Sequence, residues 1–204
     1  SNWLNNCHYI IRIFVHKIMR MADGGILLSK KLKYLFNDYY SSDFIFCIPN
    51  GRDFKNTAKK QMFEDEKIKL LYVGNFIPGK GVFDVIQSLK FLDSELIKNL
   101  SLVCVGNWID DSTKTKYMNF VKQYGLPVSF RNNTYGDDKY LLYHESSIFI
   151  FTPRDPEGHP WVIVEALAHS LPIIATNKGA ISDSVFNNKN GFIVKSNNPR
   201  EIAD

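Results

Sequence analysis

The stretch PRDPEGHPWVIVEALAHSLPIIATN, residues 153–177, sets a loop, a helix and a buried strand in a fixed order. Pro156 to Pro160 is a loop punctuated by proline and glycine. Pro160 falls where a first helical residue is favoured, because its missing N–H would go unpaired there in any case. A helix is predicted from about Pro160 to Ser170. It carries Trp161, Val162, Ile163, Val164, Ala166, Leu167 and Ala168, so it is apolar all round and expected to be buried. Pro172 to Thr176 then reads as a short apolar strand.

Two glutamates interrupt this order. Glu157 lies in the loop, and Glu165, eight positions later, is the only acidic residue of the helix. A carboxylate in such a helix needs a partner, since an unpaired buried charge costs on the order of several kcal/mol. The partner can be structural, such as a backbone amide or a lysine from a neighbouring element. It can also be a ligand, because a helix N-terminus with its free N–H groups and dipole is a ready site for a phosphate.

Upstream, the pattern alternates. Strands are predicted at Ile68 to Val73, Ser101 to Val105, Pro127 to Arg131 and Ser147 to Phe151, with helices at Val82 to Leu92, Thr113 to Tyr124 and Asp137 to His144 between them. The first two strands both finish as V-G-N, at Gly74-Asn75 and Gly106-Asn107. That fits parallel strands whose carboxyl ends open onto one crevice, where a small residue lets a ligand approach. The fold class is α/β: a Rossmann-like open parallel sheet with helices on both faces.

Residues 1–52 read differently. Tyr9 to Met21 has apolar residues near helical spacing and is expected to pack one amphipathic face. A strand at Gly25 to Leu28, a helix from Ser29 to Asn37 with Ser29 as cap, and a strand at Phe44 to Ile48 follow. Asn50-Gly51 is a turn signal. The polar stretch from Arg52 to Lys67 has no clear period and reads as a linker. The chain does not begin with Met and stops at Arg200-Glu-Ile-Ala-Asp, the opening turn of a helix, so it is expected to be part of something longer.

With 204 residues, 45% hydrophobic and 14% aromatic, the chain can bury a real core and suits one full domain plus a piece of another. The net charge of +4 is modest and the lysines are spread, which argues against a nucleic-acid arm and allows weak attraction to anionic ligands or a membrane surface. Cys7, Cys47 and Cys104 lie far apart without metal spacing and read as buried thiols in a reducing compartment. Arg12, His16 and Lys17 interrupt the longest early apolar candidate, so no segment reaches the ~18 residues of a membrane span. No signal peptide is apparent.

Residues 74–80 literally satisfy G-x-x-x-x-G-K, the start of a phosphate-cradling loop, between a predicted strand and a predicted helix. A nucleotide triphosphatase is therefore a rival reading. It fails at Gly81, where a Ser or Thr must bind Mg²⁺, and again because no strand ends in an Asp suited to a second metal contact. Pro78 inside the loop is a further misfit. Lys80 remains a phosphate-ligand candidate against the alternative of a solvated loop lysine.

YVGNFIPGKG (72–81), the strand-end Gly106-Asn107, TPRDPEGHPWVIVEALAHSLPIIATNKGAISD (152–183) and NGFIV (190–194) together resemble the C-terminal, nucleotide-sugar-binding domain of the retaining glycosyltransferases of family four. Those enzymes have the GT-B fold, two facing Rossmann-like domains with the active site between them. Glu157 and Glu165 match the family's E-x7-E signature, and IPNGRD (48–53) resembles the junction between its two domains. The resemblance implies a division at residue 52, with 1–52 a remnant of the acceptor domain and its junction, and 53–204 the donor-binding domain, ending inside its C-terminal helix.

By position, the resemblance gives Glu165 the ribose hydroxyls of the donor nucleotide, which would answer the question of its buried partner. Glu157 would orient the donor sugar and help stabilise positive charge at its anomeric carbon. Gly158, His159, Pro160, Trp161 and Val162 surround the helix N-terminus that would hold sugar and diphosphate, and His159 would face a sugar hydroxyl. Lys80 would neutralise the departing diphosphate, with Gly74, Asn75 and Gly106 at the strand ends beside it. Asn132 to Tyr135 matches the loop receiving the base, with Tyr135 as a stacking residue. Where many relatives carry an Arg after the V-G, this chain has Asn75, which donates a hydrogen bond but no charge, so Arg154 is a candidate to share the load.

The implied activity is transfer of a sugar from a nucleoside-diphosphate sugar to a glycan or lipid-linked acceptor, with retained anomeric configuration. The alternative is a non-catalytic nucleotide-sugar-binding module, or a half-enzyme needing a partner chain. No metal and no cofactor beyond the donor substrate is expected, and no nucleic acid. The remaining histidines, His8, His16, His144 and His169, read as packing or surface residues. A cytoplasmic location is expected, with peripheral association at the inner face of the membrane allowed for the full-length protein.

Overall fold

The computed structural model describes residues 2–51, 53–54 and 67–204, with only the backbone described at residues 2 and 3. The predicted linker from Arg52 to Lys67 therefore lies outside the described residues apart from its ends and residues 53 and 54. Two compact units form, residues 1–50 and 51–204.

The first unit opens with helices α1 (Asn2–Asn6) and α2 (Tyr9–Met21). A two-stranded parallel sheet pairs β1 (Gly25–Leu27) with β2 (Ile45–Cys47). The Tyr39 hydroxyl meets His16 Nδ1 at 2.7 Å and Tyr40 donates to the Met19 carbonyl at 2.6 Å, which ties α2 to the segment ahead of β2. Two expectations are corrected here. The apolar face of α2 is not packed within this unit: none of its residues is buried, and Ile10 and Phe14 are 68% and 62% exposed. The helix predicted from Ser29 to Asn37 is only a 3₁₀ turn, Lys30–Leu35. Ser29 caps it, accepting from the Lys31 amide at 3.0 Å. It buries no side chain, so nothing offsets the cost of nucleating a full α-helix.

The second unit carries the rest: β3 (Ile68–Val73), α3 (Val82–Ser88), α4 (Ser94–Lys98), β4 (Leu100–Val105), α5 (Asp111–Tyr124), β5 (Val128–Arg131), α6 (Gly136–His144), β6 (Ile148–Phe151), α7 (Trp161–Ala168), β7 (Ile173–Thr176), β8 (Gly191–Val194) and α8 (Pro199–Ala203). Its six strands are parallel, in the order β5-β4-β3-β6-β7-β8, flanked by helices in a Rossmann-like α/β fold. The apolar runs make the central strands: Leu71, Tyr72, Leu102, Phe149 and Ile173 are fully buried. Each such side chain contributes roughly 1.5–3 kcal/mol by leaving water. Helix α3 adds Val82, Val85 and Ile86, spaced to present one face.

Local signals set the helix ends. Asp93 Oδ1 accepts from the Leu96 amide at 2.7 Å and starts α4, which the sequence pattern did not reveal. After Ser88 the predicted long helix tightens into a 3₁₀ turn, Leu89–Phe91. The order of strands matters most for the site. From β3 the chain moves outward through β4 and β5, then returns to β6 on the other side of β3 and continues to β7 and β8. The carboxyl ends of β3 and β6 therefore flank the point where the winding reverses, which is where open α/β sheets form a ligand crevice.

Candidate active site

The loop after β3 is stitched to the end of β6. A 3₁₀ turn, Pro78–Lys80, runs into Gly81, whose φ of 73° is left-handed. A Cβ on Gly81 would stand 1.7 Å from the Thr152 carbonyl oxygen, so only glycine fits this close approach. A Ser or Thr, which the phosphate-loop reading requires at this position, is excluded on the same ground. The amides of Arg154 and Asp155 both donate to the Gly79 carbonyl, at 2.9 and 3.1 Å, and Thr152 Oγ1 donates to the Gly81 carbonyl at 3.2 Å.

This stitching brings Lys80 to Glu157. Lys80 Nζ stands 2.6 Å from Glu157 Oε1, with the two side chains 36% and 12% exposed. Glu157 is thus largely buried and ion-paired, although it lies in a loop. A second segment holds its backbone: the Ala180 amide donates to the Gly158 carbonyl at 2.9 Å, and Thr176 Oγ1 donates to the Pro153 carbonyl at 2.6 Å.

Glu165 finds partners within the chain. Lys139 Nζ lies 2.8 Å from its Oε1 and 2.7 Å from its Oε2, and the Tyr143 hydroxyl donates to Oε2 at 2.8 Å. The structural option for this carboxylate, a lysine from a neighbouring element, is therefore present before any ribose. Lys139 and Tyr143 stand four apart on α6, on one helical face, and that face meets α7. Burial pushes the Tyr143 phenol well above its ordinary value of 10.0, and the neighbouring Glu165 charge adds to the shift.

Between these two pairs lies a cleft of about 360 Å³. That volume falls within the range of small-molecule sites. Of the predicted site residues, Gly74, Asn75, Lys80, Tyr135, Glu157, Pro160, Trp161 and Val162 line it, together with Asn133 and Thr134 of the predicted 132–135 loop and Lys139, which the sequence reading did not single out. Pro160 is the N-cap of α7, and the first helical bond runs from the Ile163 amide to the Pro160 carbonyl at 3.1 Å. The amides of Trp161 and Val162 are thus among the terminal groups with no acceptor inside the helix. Trp161 is 45% exposed, so α7 is buried along one face only, through Ile163, Glu165 and Ala166, rather than all round.

Other predicted residues lie elsewhere. Gly106 sits against the end of β3, where a Cβ would meet the Gly74 carbonyl oxygen at 2.1 Å, and it does not line the cleft. His159 is buried, with Nε2 at 2.7 Å from Ser184 Oγ, and does not line the cleft. The Gly158 carbonyl accepts from Ala180, and the Asn132 carbonyl accepts from Thr134 Oγ1 at 3.2 Å. Arg154, offered as a phosphate partner, instead grips both carboxylate oxygens of Asp84, with Nε at 2.8 Å from Oδ2 and Nη2 on Oδ1. Asp84 is 1% exposed and Arg154 35%, which makes this a bidentate pair with a buried carboxylate and a half-buried guanidinium.

Asparagines link the strand ends along the cleft. Asn75 Oδ1 accepts from the Asn107 amide at 3.3 Å, and Asn107 Oδ1 accepts from the Asn133 amide at 3.4 Å. Among the described residues no group of three or more His, Cys, Asp or Glu side chains could hold a metal ion, and no helix is long and apolar enough to cross a membrane.

The sequence profile of the glycosyl transferases group 1 family matches residues 53–204. The chain belongs to that family. This group 1 chain is 32% identical, over 96% of its length, to the capsular polysaccharide biosynthesis glycosyltransferase CapM of Staphylococcus aureus, covering 54% of that protein. It is 25% identical, over 82% of its length, to the lipopolysaccharide 1,2-N-acetylglucosaminetransferase of Salmonella typhimurium, covering 47% of it. It thus spans about half the length of these curated relatives. Among solved structures, HepE of Anabaena in complex with UDP superposes with a TM-score of 0.80 over 95% of the group 1 chain and 55% of HepE, at 21% identity. That likeness speaks to the fold.

Proposed function

We propose that residues 53–204 bind a nucleoside-diphosphate sugar, as the C-terminal domain of a retaining glycosyltransferase that delivers the sugar to a glycan or lipid-linked acceptor. The observation that carries this reading is the Lys80–Glu157 pair, 2.6 Å apart in a cleft that the N-terminus of α7 also lines. One group is suited to the departing diphosphate and the other to the sugar. CapM and the Salmonella enzyme, named for capsule and lipopolysaccharide synthesis, support the acceptor class. The UDP complex of HepE makes UDP the first donor nucleotide to test.

In this reading the bond between the anomeric carbon and the diphosphate oxygen breaks while a bond from the acceptor oxygen forms on the same face. The acceptor proton passes to the departing phosphate. Lys80 and the Trp161 and Val162 amides stabilise the negative charge that grows on the diphosphate, the kind of preorganised term that dominates many enzymatic rate gains. Glu157 orients the sugar hydroxyls and faces the positive charge at the anomeric carbon. No metal takes part. The acceptor site belongs to the whole protein, at the inner face of the membrane.

Calorimetric titration of the 204-residue chain with UDP, GDP and ADP, each with and without EDTA, tests the reading. One nucleotide binds in the micromolar to millimolar range, insensitive to EDTA, and binds at least tenfold more weakly to Glu165→Ala. Binding of none of the three, or equal binding by the variant, refutes the site.

A further inference from the structure

Glu165, the residue that the E-x7-E signature assigns to the ribose, is nearly buried behind the residues that line the cleft. Its side chain is 9% exposed, and its partner Lys139, whose side chain is 20% exposed, does line the cleft. Nothing in the signature calls for a lysine there.

An ammonium has three N–H donors. Lys139 directs its charge to both oxygens of Glu165, at 2.8 and 2.7 Å, which leaves a donor for the cleft. Glu165 in turn has about four lone-pair directions and, among the described residues, is seen to receive Lys139 and Tyr143, so it retains acceptor capacity. The pair therefore offers a donor and an acceptor side by side, with its net charge cancelled. A phosphate placed there meets a carboxylate directly behind the ammonium. A pair of neighbouring hydroxyls fits better, since one oxygen can accept from Lys139 while a hydroxyl hydrogen is given to Glu165.

The position along the cleft agrees. Lys139 lies four residues, about 6 Å along the axis, beyond Tyr135, the N-cap of α6, and the N-terminus of α7 and Lys80 line the same cleft. Under the donor-binding reading, which puts the base at the 132–135 loop and the diphosphate at α7 and Lys80, the ribose falls between them.

We propose that Lys139 is a specificity-determining residue of the donor site, which together with Glu165 reads the ribose cis-diol. This rests on the nucleotide-donor reading given above. The two are tested apart by titrating UDP, GDP and ADP, each beside its 2′-deoxy counterpart, into the wild-type chain, Lys139→Met, Lys139→Arg and the double variant Lys139→Met/Glu165→Gln. The double variant leaves no unpaired buried carboxylate and so controls for folding.

The wild-type chain prefers the ribonucleotide by about tenfold or more, the worth of one hydrogen bond to a charged group. Lys139→Met and the double variant lose that preference, chiefly through weaker ribonucleotide binding, with the ratio approaching one. Lys139→Arg, still able to donate to carboxylate and hydroxyl, keeps a ratio of several-fold. A role only in structure, or a contact to phosphate, weakens both members of each nucleotide pair in parallel and leaves the ratio intact; that result overturns the proposal. Wild-type binding with no ribose preference overturns it too, while leaving the nucleotide site standing. If the wild-type chain binds no nucleotide at all, the donor reading itself falls, and this inference with it.

Discussion

Replacing Gly179 by alanine separates two penalties that glycine substitutions usually mix. Gly179 has a φ of 57°, and a Cβ built on it stands 1.5 Å from the Glu157 carbonyl oxygen and 2.4 Å from its carbon. Gly125, at the end of α5, has nearly the same φ of 59° with nothing within 4 Å of its Cβ position. Both variants place an alanine in left-handed backbone, at about 1 kcal/mol. Only Gly179→Ala must also push the Glu157 backbone from 1.5 Å to at least 3.0 Å away, the shortest separation that real Cβ atoms show. Forced shifts of this kind typically add about 1–3 kcal/mol. Gly179→Ala is therefore expected to lose about 2–4 kcal/mol, and Gly125→Ala about 1.

Urea unfolding, with unchanged m-values, measures both. The functional arm is sharper. A displacement of that size is more than half the 2.6 Å that separates Lys80 from Glu157. Gly179→Ala should bind the nucleotide at least tenfold more weakly while Gly125→Ala binds as wild type. Equal stability losses with equal nucleotide affinities would refute the idea that the 177–180 segment holds the Glu157 loop in place.

Two further outcomes are expected. Asp84→Asn leaves Arg154 without its carboxylate; a fully buried pair broken in this way loses about 3–5 kcal/mol, and with Arg154 35% exposed about 2–3 kcal/mol is the expected loss in urea unfolding. Nucleotide affinity should not change, since Arg154 does not line the cleft. Alkaline pH should weaken the fold: burial holds the Cys104 thiol above its ordinary 9.0 and the Tyr143 and Tyr72 phenols above 10.0. The unfolded chain loses these protons first, so stability is full below about pH 9 and falls as pH rises, by about 1.4 kcal/mol per pH unit for each group fully titrating. Tyr143→Phe should show a shallower fall; identical slopes in variant and wild type would refute this assignment.

The sheet was legible because its strands are continuous apolar runs ended by small residues. The V-G-N ending of β3 lies at the cleft, while that of β4 packs against it without lining the cleft. The misses have physical causes. The length of a lone amphipathic segment depends on what covers it, so the Ser29 to Asn37 stretch read longer than the 3₁₀ turn it forms. At the site, Glu157 and Lys80 could be paired only through motif resemblance, because 77 residues separate them. Lys139 had a weak signal, four residues before Tyr143 on one helical face, but no linear pattern says that this face meets α7. Arg154 shows the opposite error: a loop arginine beside a phosphate site looks available until Asp84, in the first turn of α3, is found beneath it.

Both glutamates of the E-x7-E signature are held by lysines, and the two pairs differ in a way that assigns them different work. Lys139 contacts both oxygens of Glu165, which also receives Tyr143; the side chains are 20% and 9% exposed. Lys80 contacts one oxygen of Glu157 and is 36% exposed. Separating the first pair would strand a buried charge with little access to water, which is strongly unfavourable, so it stays closed and acts as a fixed hydrogen-bonding unit. The second can exchange partners, because water and an incoming anion both reach the ammonium. Under the donor-binding reading, a diphosphate that takes up Lys80 loosens its hold on Glu157 as the sugar hydroxyls arrive to replace it. The carboxylate is then committed to the sugar only when the leaving group is in place, and a nucleotide lacking the sugar should leave Glu157 with water instead.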